Sequence, residues 1–205
     1  MKAGLAAAIA ATIQVKKINL RGDVILTAVI DEEHSSLGTE AVMREYHADA
    51  AIVTEPSWMN LCTAHRGFAV FEIEVYGKAA HTSQQHLGVN AIVQAGKLLA
   101  EIAAFNEALQ QKEQHPLLNF GSLQATLIQG GQELFTSPAL CRLSVERRTL
   151  PHETKESVER DMGEMLRGLE SSDPTFKASC KTLLYREAYE VSQDETIVKL
   201  AQKHL

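Results

Sequence analysis

Between residues 67 and 183 the apolar residues change period four times, and that order constrains the fold more than any other feature of the chain. Phe71, Ile73 and Val75 alternate with Glu72, Glu74 and Tyr76, the period-two pattern of a half-exposed strand. Residues 88–105 follow as an amphipathic helix with Ile92, Ala95, Leu99 and Ile102 on one stripe. Leu123, Ala125 and Leu127 then alternate with Gln124 and Thr126. After Gly130-Gly131 and Pro138, Cys141, Leu143 and Val145 alternate with Arg142, Ser144 and Glu146. A second helix carries Val158, Met162, Met165 and Leu169, and Phe176, Ala178 and Cys180 alternate to close the series. The sum is β-α-β-β-α-β, the ferredoxin-like split unit. One-sided alternation predicts an antiparallel sheet with both helices on one face, the other being free for a partner.

Residues 1–66 follow a different grammar. Residues 1–15 and 39–46 read as helices. Val24–Ile30 is an unbroken apolar run fit for a strand buried on both faces of a parallel sheet, and Ala50–Val53 reads as a second such strand. From 184 to 205 a polar connector leads into Ile197, Leu200 and Ala201, a helix that returns to the first region. The fold expectation is therefore α/β: a partial parallel-sheet domain over 1–66, an inserted ferredoxin-like unit over 67–183, and a return over 184–205.

Composition narrows the function classes. At 205 residues, with 45% hydrophobic and 22% charged residues, the chain is too apolar for disorder. Its net charge of -6 and the lack of any Lys/Arg run longer than two argue against a nucleic-acid partner. Cys62, Cys141 and Cys180 lie far apart with no C-x-x-C pair, which fits a reducing cytoplasm. Met1-Lys2 followed by Leu5 to Ile13 mimics a short signal peptide. The run is mostly alanine, however, and falls well short of the ~20 residues a membrane span needs, so it reads as an internal helix and no membrane partner is expected.

The chemistry concentrates after the two expected parallel strands. Asp31-Glu32-Glu33 follows the run ending at Ile30, and Glu55 follows the run ending at Val53. Carboxylates at neighbouring strand ends can hold divalent cations, and adjacent glutamates point to different faces, so one can bind metal while the other moves a proton. The plainer reading is that loop carboxylates are solvated.

Further motifs occur in a fixed order: Met1-Lys2-Ala3-Gly4-Leu5, Asp31-Glu32-Glu33 with Gly38-Thr39, Thr54-Glu55-Pro56-Ser57, and His65-Arg66-Gly67. Gly77-Lys78-Ala79-Ala80-His81, Gly88-Val89-Asn90-Ala91-Ile92 and Glu146-Arg147-Arg148-Thr149-Leu150-Pro151 follow. With these in register the sequence resembles the zinc-dependent amidohydrolase and peptidase family of acetylornithine deacetylase, succinyl-diaminopimelate desuccinylase, aminoacylase and glutamate carboxypeptidase.

The resemblance implies a metal-dependent hydrolase of amide bonds in N-acyl amino acids or peptides, with 67–183 as lid and dimerisation domain. Glu32 matches the general base, and Glu33 and Glu55 match metal ligands. His81 matches the histidine that hydrogen-bonds the developing oxyanion, reaching the partner subunit's site in dimeric relatives. Arg148, in the D/E-x-R-x-x-P pattern, matches the arginine that takes the substrate carboxylate. Two Zn²⁺ ions are implied, with Co²⁺ or Mn²⁺ as substitutes. A carboxylate that accepts a proton and a donor that steadies an oxyanion, the latter worth ~3–4 kcal/mol, suit that chemistry, as does the planar fork of arginine on a carboxylate.

The family's first metal-binding histidine and bridging aspartate would precede Met1, and its last histidine ligand would follow Leu205. Of five ligands only Glu33 and Glu55 are present, so the expectation is an incomplete and inactive site. Two alternatives stay open: a non-catalytic dimerisation module, and a module that binds a small amino acid through Arg148 and the Gly130-Gly131 turn. Phe135 stands where some relatives have a substrate-contacting asparagine, and Thr82 and Gln84-Gln85 depart from the usual residues after His81. His65 reads as a hinge or packing residue. His34, His47, His86, His115, His152 and His204 read as surface, Cys62 as a buried thiol and Trp58 as packing.

Overall fold

The structure, a computed structural model, describes residues 2–112 and 114–205 of the chain. They separate into two units, one holding the chain up to Thr63 with Ser192–Leu205, the other Ala64–Val191.

The first unit contains α1 (Lys2–Val15), α2 (Leu37–Glu45) and the C-terminal helix Thr196–His204, α5 in chain order. Met1, the first residue of the expected helix, lies outside the described residues. Close approaches at glycines tie the unit together. A Cβ on Gly4 would stand 2.6 Å from the Thr54 carbonyl oxygen, so α1 runs against the segment that carries Glu55. A Cβ on Gly38 would stand 2.6 Å from the Ile30 nitrogen, so α2 begins against the end of the 24–30 run. In α5 only Val198 is buried; Leu200, expected on the inner stripe, is exposed.

The expected parallel sheet is not formed. Val24–Ile30 and Ala50–Val53 are irregular and largely exposed, with Ile30 at 76% and Ile52 at 75%. A strand persists only when its N–H and C=O groups meet a ladder, and neither run belongs to a sheet among the described residues. Among the described residues every strand pair is antiparallel.

The second unit runs β1 (Ala64–His65), β2 (Gly67–Tyr76), β3 (Ala80–His81), a 3₁₀ turn (Thr82–Leu87), α3 (Ala91–Gln110), β4 (Ser122–Gly130), β5 (Thr136–Ser137), β6 (Leu140–Thr149), α4 (Lys155–Ser172), β7 (Lys177–Arg186) and β8 (Tyr189–Glu190). The main sheet has the order β4-β6-β2-β7, with β1 paired to β8 and β3 to β5 in two small ribbons. Odd residues of β2 and β6 are buried and even ones half-exposed or exposed, as the alternation predicts. The register sets Phe71 opposite Val145 and Ile73 opposite Leu143. These pack with Leu98 and Ile102 of α3, Val158 and Met162 of α4, and Phe176. Each such burial is worth roughly 1.5–3 kcal/mol, so this one layer holds the unit together.

Both helices form where expected but turned or lengthened. Asn90 caps α3 by accepting hydrogen bonds from the Ile92 and Val93 nitrogens, at 2.9 and 3.2 Å. The buried stripe is Ala91, Ala95, Leu98 and Ile102, while Ile92 is exposed. The Ala91 nitrogen bonds the Pro138 carbonyl at 3.0 Å, and this draws the small residue, not Ile92, against the sheet. α4 starts from a capping box between Thr154 and Ser157, and Leu166 is buried beside Met165, which is half-buried against the core. In β4 the register shifts between Ala125 and Leu127, which turns Leu127 outward instead of inward. Cys180, expected to alternate inward on β7, is exposed.

Candidate functional site

Asp31 does structural work. With φ 64 it sits in the left-handed region, and its Oδ2 accepts hydrogen bonds from Ser35 Oγ at 2.7 Å and from the Leu37 nitrogen at 3.3 Å. Its carbonyl accepts from the Ser36 nitrogen at 2.6 Å. The turn leads into α2, and the Ser35 hydroxyl holds the Asp31 carboxyl below the usual carboxylate range.

Glu32 and Glu33 stand on the outside of this turn, and Glu55 lies on an exposed segment. No three His, Cys, Asp or Glu side chains among the described residues converge as a metal site. Convergence was expected because both strands would end at one sheet edge, and neither strand forms. As placed, the described residues do not by themselves fit a zinc centre, which uses about four ligands with nitrogen or sulfur prominent.

His81 is presented differently. β3 pairs with β5 so that Ala80 faces Ser137 and His81 faces Thr136, and the Thr82 nitrogen donates to the Phe135 carbonyl at 2.9 Å. The backbone around the ring is thereby held from across a ribbon, while the imidazole itself is exposed. Its Nδ1 accepts a hydrogen bond from the Ser83 nitrogen at 3.3 Å and lies 2.7 Å from Ser83 Oγ. Phe135, beside this ribbon, is exposed.

Arg148 lies on the half-exposed face of β6, away from the helices. It pairs with Glu146 at 2.6 Å, and its guanidinium carbon sits 5.3 Å from the centre of the Phe68 ring. The Gly130-Gly131 turn is elsewhere. Ser122 of β4 faces Arg148 and Gly130 faces Cys141, so turn and arginine occupy opposite ends of one strand pair, roughly 25 Å apart at strand rise. That separation removes the joint small-ligand site read from these two elements. The turn instead borders a cleft of about 270 Å³ with Glu133, Thr136 and Arg142 on its walls. Thr136 Oγ1 donates to Glu133 at 3.0 Å, and Arg142 is held by Glu74 at 2.8 Å.

Two residues escaped the sequence reading. Arg147, next to Arg148 but on the helix side, is 1% exposed and paired with Glu153. The alternation of β6 places it inward, so the signal was present as a charge at a core position. His115 has a side chain only 12% exposed: Nε2 meets Glu190 at 3.3 Å, and Nδ1 accepts from the Leu117 and Leu118 nitrogens. It is not the surface residue expected, and nothing in its neighbours along the chain signals this. His65 stacks on Tyr189 with ring centroids 6.0 Å apart. Trp58 and Cys62, read as interior, are exposed, Trp58 at 95%.

Comparison with known proteins adds a family. The model of the peptidase dimerisation domain matches residues 63–173. Acetylornithine deacetylase of Myxococcus xanthus is 27% identical over 205 residues, 97% of this chain and 53% of that protein. The enzyme of that name from Pasteurella multocida is 29% identical over 161 residues, 74% of this chain and 41% of that protein. The chain thus spans about half the length of the curated relatives it matches. Among solved structures, a tripeptidase from Staphylococcus aureus superposes with TM-score 0.52 at 19% identity over 69% of this chain and 35% of that one. A hydantoinase/carbamoylase family amidase from Burkholderia ambifaria gives TM-score 0.54 at 14% identity over 69% and 32%. At these identities the superpositions speak to fold alone.

Proposed function

The chain belongs to the peptidase dimerisation domain family, and from that premise we propose that it supplies the dimer-forming lid of a metal-dependent hydrolase of amide bonds in N-acyl amino acids or peptides. The carrying observation is that the family match over 63–173 falls on the β-α-β-β-α part of the second unit, whose strand order is ferredoxin-like.

The two edges of its sheet differ. β7 carries Lys177, Lys181 and Arg186, the charges that discourage edge pairing. β4 reads Ser-Leu-Gln-Ala-Thr-Leu-Ile-Gln-Gly without a charge, and Leu127, Ile128 and, from α3, Ile92 and Val93 are exposed beside it. A second copy of the chain is the occupant that fits: two uncharged edges related by a two-fold axis extend the ladder and cover the apolar rim. On this reading His81, held on its ribbon, donates to the oxyanion of a substrate bound by the partner subunit. Arg148 exchanges Glu146 for the substrate carboxylate, with Phe68 supporting the guanidinium. Glu32 accepts the proton of the attacking water. Glu33 and Glu55 are the oxygen donors that this reading would offer a divalent cation.

Sedimentation velocity tests the dimer. The chain sediments as a dimer in the micromolar range and Ile128→Lys as a folded monomer; a wild-type monomer overturns the module. The hydrolase is tested by placing this sequence in the corresponding stretch of the Myxococcus xanthus enzyme and measuring release from N-acyl amino acids. Glu32→Gln then abolishes turnover while keeping metal, and a retained rate removes Glu32 from the base role.

A further inference from the structure

We propose that Ser83 is a positioning residue that fixes the tautomer of His81, keeping its ring proton on Nε2, the nitrogen that would face an oxyanion. The inference rests on the role given to His81 above, but its geometry stands apart from that role. A backbone N–H can only donate, so the Ser83 nitrogen at 3.3 Å requires a lone pair on His81 Nδ1. With that nitrogen an acceptor, the Ser83 hydroxyl at 2.7 Å is a donor as well, and both bonds converge on the same unprotonated atom. The single proton of the neutral imidazole is then on Nε2.

The surroundings are arranged to the same end. His81 is the cap of the 3₁₀ turn Thr82–Leu87, so its backbone and that of Ser83 move as one piece. The pairing of His81 with Thr136, and of the Thr82 nitrogen with the Phe135 carbonyl, holds that piece to β5. No hydrogen bond from a described residue reaches Nε2, and the ring is exposed. The donor is therefore oriented, of fixed tautomer and available, the three properties a pre-set oxyanion donor needs.

The test is ring ¹⁵N spectroscopy of the 205-residue chain above neutral pH, with the His81 signals identified by their loss in His81→Gln. The wild type gives a pyridine-like Nδ1 and a protonated Nε2, with essentially no second tautomer. Ser83→Ala keeps the backbone donor but removes the hydroxyl, and a measurable fraction of Nδ1–H tautomer appears. Ser83→Thr restores the wild-type spectrum. A wild-type ring that is mainly Nδ1–H, or a Ser83→Ala spectrum identical to wild type, overturns the proposal. In the active chimera Ser83→Ala lowers kcat several-fold with KM unchanged. If the spectra behave as expected and kcat does not move, Ser83 still sets the tautomer, and what fails is the role of His81 in turnover.

Discussion

The guanidinium of Arg147 is buried on the helix side of β6 and paired with Glu153, four residues beyond the end of that strand. Nη1 also donates to the Arg148 carbonyl at 2.9 Å and to the Ser122 carbonyl at 3.4 Å, and the Phe105 ring lies 5.8 Å away. Glu153 in turn accepts from the Leu150 nitrogen at 2.8 Å. One ion pair thus joins β4, β6 and the loop into α4. Burial pulls the Arg147 pKa below the usual arginine range while Glu153 opposes the shift.

Breaking this pair from one side is costly. Glu153→Gln leaves a buried cation without its counter-charge and loses about 3 kcal/mol, whereas Arg147→Met, which fills the space with apolar atoms, loses much less. The double variant lies closer to Arg147→Met than to Glu153→Gln. Urea unfolding followed by far-UV circular dichroism ranks the three; equal losses in both single variants contradict the assignment.

The carboxyl of Asp161 on α4 shows what the same burial does to an acid. Burial raises its pKa above the usual carboxylate range, against the pull of Arg147 and Lys112. A raised folded-state pKa means that folding disfavours the ionised form, a penalty present at neutral pH and relieved as pH falls through that pKa. Asp161→Asn is therefore more stable than wild type at pH 7, and the difference closes on acidification. Thermal unfolding across pH 4–7 reads it; a variant that is less stable at pH 7 reverses the sign and refutes it.

Asp173 has the opposite sign. At the end of α4 it pairs with Lys97 and accepts hydrogen bonds from Thr175 at 2.7 and 2.9 Å and from Gln94 at 3.1 Å. The Lys97 bond first, then those from Thr175, hold its carboxyl well below the usual range. A depressed pKa gives stability that is present above the unfolded-state value, about 3.9, and lost as pH falls through the folded one. Asp173→Asn lowers stability at pH 7, and the deficit shrinks in acid. A deficit that stays constant from pH 7 to pH 3 shows that the contact is not ionic.

The cap of α3 gives a cleaner number. Asn90 Oδ1 serves two nitrogens at once, so Asn90→Ala costs about 1 kcal/mol, while Asn90→Asp keeps the acceptor and costs little. The two variants compared by urea unfolding separate a cap from mere packing, since packing loss would affect both.

How far the chain could be read without coordinates depended on where each element finds its partner. β2 and β6 were legible because each alternation is matched by the other over ten residues, Gly67 to Tyr76 against Thr149 to Leu140. α3 was legible as a helix but not in its rotation, since Ile92 and Leu98 offer competing stripes and a backbone bond from Ala91 to Pro138 decides between them. Leu127 was misplaced because a bulge leaves no mark in a run of alternating residues. Val24–Ile30 has the composition of a central strand, but composition cannot supply the neighbouring ladder on which such a strand depends. The acidic candidates failed to converge for the same reason, being tied to strand ends that do not exist. His81 kept a defined setting because its neighbours across the ribbon, Thr136 and Phe135, lie within the unit that folds around its own core.

That contrast sets the expected metal behaviour. Glu33 and Glu55 are exposed carboxylates on irregular segments, and no third His, Cys, Asp or Glu among the described residues joins them. Drawing them onto one cation means breaking the Asp31 turn that holds the segment of Glu33, where Ser35 and Leu37 bond the Asp31 carboxylate. Two oxygen donors without a nitrogen or sulfur ligand return little of that cost from zinc. The 205-residue chain therefore binds Zn²⁺ loosely, with calorimetry giving weak heats and no sharp equivalence point, and Glu33→Gln with Glu55→Gln changes the isotherm only slightly. The proposed dimer, built from a different unit, is expected to be indifferent to chelator in the same solution. Tight binding of two equivalents, abolished by the double variant, would mean that the acidic segments can assemble a centre unaided, and the reading of Glu33 and Glu55 as members of a larger ligand set would have to be given up.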